Sequence, residues 1–185
     1  RNFRNEGIDQ THNPEFTMLE FYESFSEAAK QQVLVEKLLK EVIKKTTGSL
    51  IVSYNGHKID FSKKFKVVSY FDLLKRYALI QNPVQAPRPD LALKASQLGI
   101  KVEKADSREK ILDNIFKKTV RMKIIDPTFV IDYPRNHLPL AKRQEPTSEI
   151  VDAFQLLAGG LELVKAFSEL NDPLDQATRF VEQAK

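Results

Sequence analysis

Two stretches near the start of the chain alternate polar and apolar residues. In RNFRNE, Asn2, Arg4 and Glu6 share one face and Phe3 takes the other. In EFTMLEFY, Phe16, Met18, Glu20 and Tyr22 share one face, while Thr17, Leu19 and Phe21 share the opposite one. The period predicts two strands around the polar loop GIDQTHNP, with Gly7, Asn13 and Pro14 as turn residues. The carboxylate of Glu20 interrupts an otherwise apolar pair of faces, and it is the first sign of chemistry.

The pattern then turns helical. Ser24 and Glu27 stand at capping-box spacing, so a helix is expected to about Lys45, with Val33, Leu34, Leu38, Val42 and Ile43 on its buried side. Gly48 stops it. LIVSY and HKIDF flank Asn55-Gly56, a strong hairpin signal, and KFKVVS reads as another short strand. A short helix is expected over 69–79. The Pro-rich QNPVQAPRP (81–89) reads as a mobile connection. Further helices are expected near 89–98 and 107–123. The second opens at Asp106 and Glu109, again at capping-box spacing, and buries Ile111, Leu112, Ile115 and Phe116.

PTFVIDYP is a strand bounded by Pro127 and Pro134, AKRQEPTSE is a polar loop, and FQLLAGG and LELVKAFSEL form a last strand pair. Asp172-Pro173 opens a terminal helix, an N-cap residue followed by proline at the first helical position. The fold class expected is α+β, an antiparallel sheet flanked by helices. One domain is expected over 1–185, with 80–125 a helical insertion or connection within it.

Composition narrows the chemistry. The chain has 185 residues, 42% of them apolar, enough for a core. Lys plus Arg total 29 and Asp plus Glu 25, a net charge of +4 that permits a nucleic-acid partner without demanding one. With no cysteine, disulfides, thiolate metal sites and cysteine nucleophiles are excluded. A reducing, cytoplasmic home suits such a chain. No stretch nears the roughly 20 apolar residues that span a bilayer, so no membrane partner is expected. Lys37, Lys40, Lys44 and Lys45, and Lys117, Lys118, Arg121 and Lys123, form basic clusters that read as solvated helix faces. The chain starts as if inside a strand and ends as if inside a helix, and is expected to be a segment of a longer protein.

Three segments carry the most specific signal. FRNEGIDQTHNPEFTMLEFY (3–22) resembles motif 2 of the class II aminoacyl-tRNA synthetases, in the form used by the lysyl-tRNA synthetases. AFSELNDPLDQATRFVEQ (166–183) resembles the segment preceding motif 3 in the same family. PTFVIDYP with PLAKR (127–134, 139–143) matches the strand and loop between them. The resemblance runs in order along the chain and is weakest from about 80 to 125. It implies the class II catalytic-domain fold, present in part. It also implies ATP-dependent activation of lysine to lysyl-adenylate, then transfer to tRNA(Lys). Motif 1, motif 3 and the anticodon-binding barrel are missing, so the isolated segment is expected to have little activity. A homodimer is expected for the full-length family member.

The roles implied make physical sense. Activation joins a carboxylate to the α-phosphorus of ATP, two anions passing through a still more charged transition state. The resemblance assigns Arg4 the catalytic task of touching both the α-phosphate and the lysine carboxylate through its planar fork. It makes Phe16 the ring stacking on adenine, Glu6 the reader of its amino edge, and His12, beside Asn13, the contact for the terminal phosphate. Glu20, Tyr22 and Glu169 form a cage for the substrate ammonium, with Phe167 along its methylene stem. Desolvating that cation is costly unless carboxylates replace the water. A neutral amino acid leaves two carboxylates unpaired, whereas one methylene fewer, as in ornithine, is worth about 1–3 kcal/mol.

Mg2+, held in the family by two carboxylates, would here fall to Glu162 and, more weakly, to Gln155, which stands where the pattern has Glu. Strict alternation puts Glu162 and Glu169 on opposite faces, so a bulge must intervene for both to face the site, and Gly159-Gly160 is consistent with local irregularity. Lys165 replaces an Asn near the amino acid, and Leu138 a Ser. Gln155 and Lys165 support one other reading, a degenerate module that binds a ligand, an RNA or a partner; a second rival is a paralogue that lysylates a protein, over which PLAKR and ELNDP favour the true synthetase.

Overall fold

The structure, a computed structural model, describes residues 1–9 and 12–183. β1 (Asn2–Phe3) and β2 (Glu15–Phe16) form a short antiparallel pair, Asn2 opposite Phe16. Gln10 and Thr11 of the expected loop lie outside the described residues. The alternation over 17–22 does not become a strand. The register that sets Asn2 against Phe16 would match Thr17 with Arg1 and leaves 18–22 without a rung in this pair.

Helix α1 (Ala28–Thr47) begins after Glu27, and neither Glu27 nor Ser24 caps it through a side chain. Glu23 instead takes Lys30 at 2.5 Å and Gln31, while Ser26 accepts from Gln31 at 2.7 Å, so the entry is tied by side chains reaching back from the first turn. The buried face also differs from expectation. Ala28 and Val35 are buried and Leu39 and Ile43 pack against the same cluster, whereas Val33, Leu34 and Val42 are exposed. The apolar stripe is wider than the sheet it meets, and the sheet selects one side of it.

β3 (Ile51–Tyr54) and β4 (His57–Asp60) form the hairpin, with Asn55 and Gly56 at φ of 50° and 79°, the mirror-image turn that Asn-Gly favours. The main sheet has the order β5 (Lys66–Ser69), β6 (Thr128–Ile131), β7 (Ala153–Ala158), β8 (Leu161–Phe167). It is mixed rather than purely antiparallel, because β5 runs parallel to β6. A parallel pair needs a crossover, and the helices between them supply it. These are α2 (Tyr70–Ala78), α3 (Arg88–Gln97) and α4 (Arg108–Ile115), the last continuing as a π turn over Phe116–Val120 and a 3-10 turn over Arg121–Lys123.

Ser107, not Asp106, caps α4, accepting from the Lys110 N–H at 3.1 Å. Asp106 instead accepts from the Glu103 N–H and pairs with Lys110. The Pro-rich connection is pinned rather than loose: Arg108 donates to the carbonyls of Pro83, Val84 and Ala86.

Each face of the sheet has its own core. Phe154, Leu156, Ala158 and Phe129 pack against α1 and the hairpin side through Ile59, Phe61 and Phe65. Val130, Ala153 and Leu157 pack against α2, α3 and α4 through Tyr70, Leu74, Leu91, Ile111, Leu112 and Ile115. A side chain of this size gains about 1.5–3 kcal/mol on full burial. At the β7–β8 turn Gly159 sits at φ of +60°, and a Cβ there would meet Ile59 at 2.7 Å. Among the described residues no helix is long and apolar enough to cross a membrane.

α5 (Pro173–Gln183) follows Asp172, whose carboxylate accepts from the N–H groups of Leu174 and Asp175 at 2.9 and 3.2 Å. Asp175 in turn receives Arg179 at 2.6 Å and Arg143 at 3.2 Å. Those guanidiniums, Arg179 foremost, hold its carboxyl far below the usual 3.8.

Phe154→Ala removes a fully buried ring stacked edge-on to Phe129 at 5.3 Å and should cost about 3–5 kcal/mol in chemical denaturation. Asp175, with its folded pKa depressed, stabilises above the ordinary 3.8, and that contribution fades as pH falls toward the folded value. Asp175→Asn should therefore be less stable than the parent at neutral pH, with the gap closing in acid, as read by melting temperature against pH.

Candidate functional site

The extended segment after β2 carries Glu20 and Tyr22, and the chain beyond β8 carries Glu169. Tyr22 donates its phenol hydrogen to Glu20 Oε1 at 2.8 Å. That hydrogen bond, then the Glu20 charge, desolvation and the Glu169 charge, raise the Tyr22 phenol above its ordinary 10.0. Groups from opposite ends of the chain thus meet electrostatically. Tyr22 is 74% exposed, so this acidic corner opens to solvent. Two carboxylates and a phenol oxygen make a place for a cation.

Glu169 is set from the backbone. Ala141 bridges it in antiparallel fashion, flanked by Lys142 N–H to Ser168 O at 2.7 Å and Leu170 N–H to Leu140 O at 2.9 Å. The Ser168 N–H also donates to Asp152 O at 2.9 Å. Phe167 pairs with Ala153 at the end of β8 and packs against the helical core.

A second group forms around β1 and β2. The Arg4 N–H donates to Pro14 O at 2.9 Å, continuing the strand pair. Its guanidinium lies 5.3 Å from the centre of the Phe16 ring and 3.8 Å from Glu6 Oε1. Arg4, Glu6 and Phe16 are therefore neighbours, with a cation over an aromatic face. His12 is oriented by Asp9, which meets its Nδ1 at 2.9 Å and its backbone N–H at 2.8 Å. Asp9 is a residue the sequence reading passed over, and the D-x-x-H spacing in the loop was its signal. Asn13 is exposed beside Pro14. Arg4, Glu6 and Phe16 form one cluster, Glu20, Tyr22 and Glu169 the other, and residues 17–19 connect them.

The β7–β8 ladder contains the expected bulge. Leu156 pairs with Val164 but Leu157 pairs with Glu162, so Leu163 is the extra residue. The slip puts Glu162 on the face of Leu157, the face that also carries Gln155 and Lys165, which pair with each other, and Phe167. Gln155 Oε1 already accepts from the Tyr133 hydroxyl at 2.8 Å. This pair brings one formal charge and one engaged amide oxygen, so a Mg2+ held here would take most of its about six oxygens from nucleotide phosphates and water. Among the described residues no cluster of three acidic or histidine side chains is poised for a metal. Glu162 would be the stronger ligand of the two, and Gln155, neutral and already bonded to Tyr133, the weaker.

The Lys165 charge is felt at His137. Burial pushes that imidazole below 6.5, Asp113 opposes the shift, and Lys117 and Lys165 add to it. The charges that act on Tyr22 are those of Glu20 and Glu169. Leu138 is buried in the helical core.

The chain matches the family described as tRNA synthetases class II (D, K and N) over residues 1–185. It is 40% identical over 185 residues to the lysine–tRNA ligase of Syntrophomonas wolfei, covering all of this chain and 38% of that protein. The lysine–tRNA ligase of Aquifex aeolicus is 40% identical over 186 residues, with 31% of its length covered. That of Prochlorococcus marinus is 42% identical over 182 residues, or 97% of this chain and 35% of its own. The chain thus spans about a third of the length of the curated relatives it matches.

Because the hydrogen bond to Glu20, then the Glu20 charge and, last, the Glu169 charge raise the Tyr22 phenol, Glu20→Gln should bring its titration back toward 10.0, and Glu169→Gln should do so by less. Nuclear magnetic resonance of ring-labelled tyrosine against pH, with the Tyr22 signal assigned by substitution, reads both shifts.

Proposed function

The chain belongs to the class II tRNA synthetases of the D, K and N group, and on that premise we propose that it is part of the catalytic domain of a lysine–tRNA ligase. The full-length enzyme activates lysine with ATP, releases pyrophosphate, and transfers the lysyl group to tRNA(Lys). The observation that supports lysine over aspartate or asparagine is the acidic corner of Glu20, Tyr22 and Glu169. A side chain ending in an ammonium group finds two negative charges and a phenol oxygen there. A carboxylate or neutral amide side chain would meet repulsion or unpaired acids.

In this reading the Glu20 and Glu169 carboxylates bind the ammonium group and Phe167 lines the methylene stem. The stem points the substrate carboxylate toward Arg4, whose fork bridges it to the α-phosphate. One carboxylate oxygen attacks the α-phosphorus, and the bond to the pyrophosphate oxygen breaks as the new one forms. No protein nucleophile takes part; the enzyme supplies position and positive charge. Phe16 stacks on adenine with Glu6 at its edge. His12, oriented by Asp9, contacts the terminal phosphate, with Asn13 shaping the loop around it. Class II lysyl-tRNA synthetases work with ATP and Mg2+ as a group. In this chain phosphate charge is met by Arg4 and His12, and Gln155 with Glu162 is assigned no step. Homodimerisation and a cytoplasmic site of action belong to the same proposal.

Pyrophosphate exchange in the full-length protein tests it. Exchange should depend on lysine, with ornithine poorer by about 10–200-fold in kcat/KM. Glu20→Gln or Glu169→Gln should raise the KM for lysine by about a hundredfold with a smaller effect on ATP. Arg4→Lys should instead lower kcat by about 10²–10³-fold. Exchange stimulated by another amino acid, or indifferent to both carboxylates, rejects the assignment.

A further inference from the structure

Arg179 is an outlier among the basic residues. Only 2% of it is exposed, and its guanidinium is fully engaged. Nε and Nη2 donate to the two oxygens of Asp175 at 3.1 and 2.6 Å. Nη1 donates to the backbone carbonyls of Pro139 and Ala141 at 3.1 and 2.7 Å. A buried cation with one carboxylate partner is costly unless its remaining donors are met, and here two carbonyls of one short segment meet them. That segment is the one against which Glu169 is bridged, at Ala141. The hydrogen bonds of Lys142 to Ser168 and of Leu170 to Leu140 flank Glu169 on both sides. Behind Asp175, Arg143 makes a second attachment and itself donates to Ser148 O at 3.0 Å. A continuous set of hydrogen bonds therefore runs from the interior of α5, through 139–142, to the backbone of Glu169.

We propose that Arg179 is the positioning residue of the ammonium pocket. It grips the carbonyls of Pro139 and Ala141 and so sets where the Glu169 carboxylate stands relative to Glu20. This rests on the functional reading above, in which Glu169 binds the substrate ammonium. The geometry requires arginine. Lysine carries the charge but offers no planar fork that reaches a carboxylate and two carbonyls together. A carboxylate displaced by about 1 Å loses much of its hold on a cation, and remote misplacements of that size change rates by about 10²-fold.

The test compares Arg179→Lys with Arg135→Lys in the full-length protein. Arg135 is the control: it also ties α5, through Glu182 at 2.8 Å, and pairs with Glu149, but its side chain does not hold the 139–141 carbonyls. Arg179→Lys should raise the KM for lysine by about tenfold or more, leave the KM for ATP within about twofold, and reduce the preference for lysine over ornithine. Arg135→Lys should leave that preference unchanged. A merely structural role would lower activity for both substrates alike. An unmoved lysine-to-ornithine ratio in Arg179→Lys, or equal shifts in both KM values, overturns the inference.

Should Arg179→Lys fail to fold by circular dichroism, Asp175→Asn is held to the same ratio, because it loosens the guanidinium while leaving it in place. A parent protein without lysine-dependent exchange overturns the functional reading and this inference together. An active parent with an unmoved ratio overturns the inference alone.

Discussion

The charges of Glu20 and Glu169 act on one phenol, that of Tyr22, from opposite ends of the chain, and the place of each carboxylate is set by hydrogen bonds around it. Glu20 is held through Tyr22 on its own segment. Glu169 is held by its neighbours' hydrogen bonds to 140–142. The rest of the described structure is arranged around that second task. β7 and β8 carry the chain to the corner, the loop over 139–142 supports it from one side, and α5 closes behind it with a buried arginine. The two cores flanking the sheet keep this frame rigid, so a small, exposed, acidic feature rests on a large apolar one.

The same economy of backbone appears at the bulge in β8. One extra residue, Leu163, turns Glu162 to the face shared by Gln155 and Lys165. That face now holds one acid, one amide and one lysine, with the amide oxygen engaged by Tyr133. Its charge balance differs from that of the acidic corner a few residues along. One carboxylate stands at the bulge, whereas two carboxylate charges act on Tyr22 at the corner.

Much of the fold was legible in the residues because local chemistry and tertiary outcome agree there. Asn55-Gly56 forms the expected turn, Asp172-Pro173 opens α5, and Ile111, Leu112, Ile115 and Phe116 are all buried. The need for a bulge between Glu162 and Glu169 followed from alternation together with the motif resemblance, which places both residues at the site. Other expectations failed where competition decided the result. Ser24 and Glu27 stood at capping-box spacing, but the helix starts after Glu27 without a side-chain cap, and Glu23 and Ser26 tie its first turn through the side chains of Lys30 and Gln31 instead. Ser107 displaced Asp106 as the cap of α4 because Asp106 was drawn back to Glu103. The parallel step between β5 and β6 left no mark on either strand's composition. Of the candidate site, motif resemblance named the side chains, and a D-x-x-H spacing marked Asp9, but the supporting residues Tyr133, Asp175 and Arg179 are visible only once the chain is folded. Their partners are mostly backbone atoms or residues distant in sequence.

The parallel pairing of β5 with β6 has a consequence for how such a chain can vary. Everything from α2 to the 3-10 turn at Arg121–Lys123 is one excursion that departs from a strand and comes back beside it. The distance its ends must span is set by two adjacent strands and not by the number of residues between. Closure entropy grows only slowly with that number, by about 0.6 kcal/mol per doubling. The excursion can thus change length at little entropic cost, provided it keeps the apolar faces that pack on Leu138, Ala141, Ala153 and Leu157 beside the Glu169 segment.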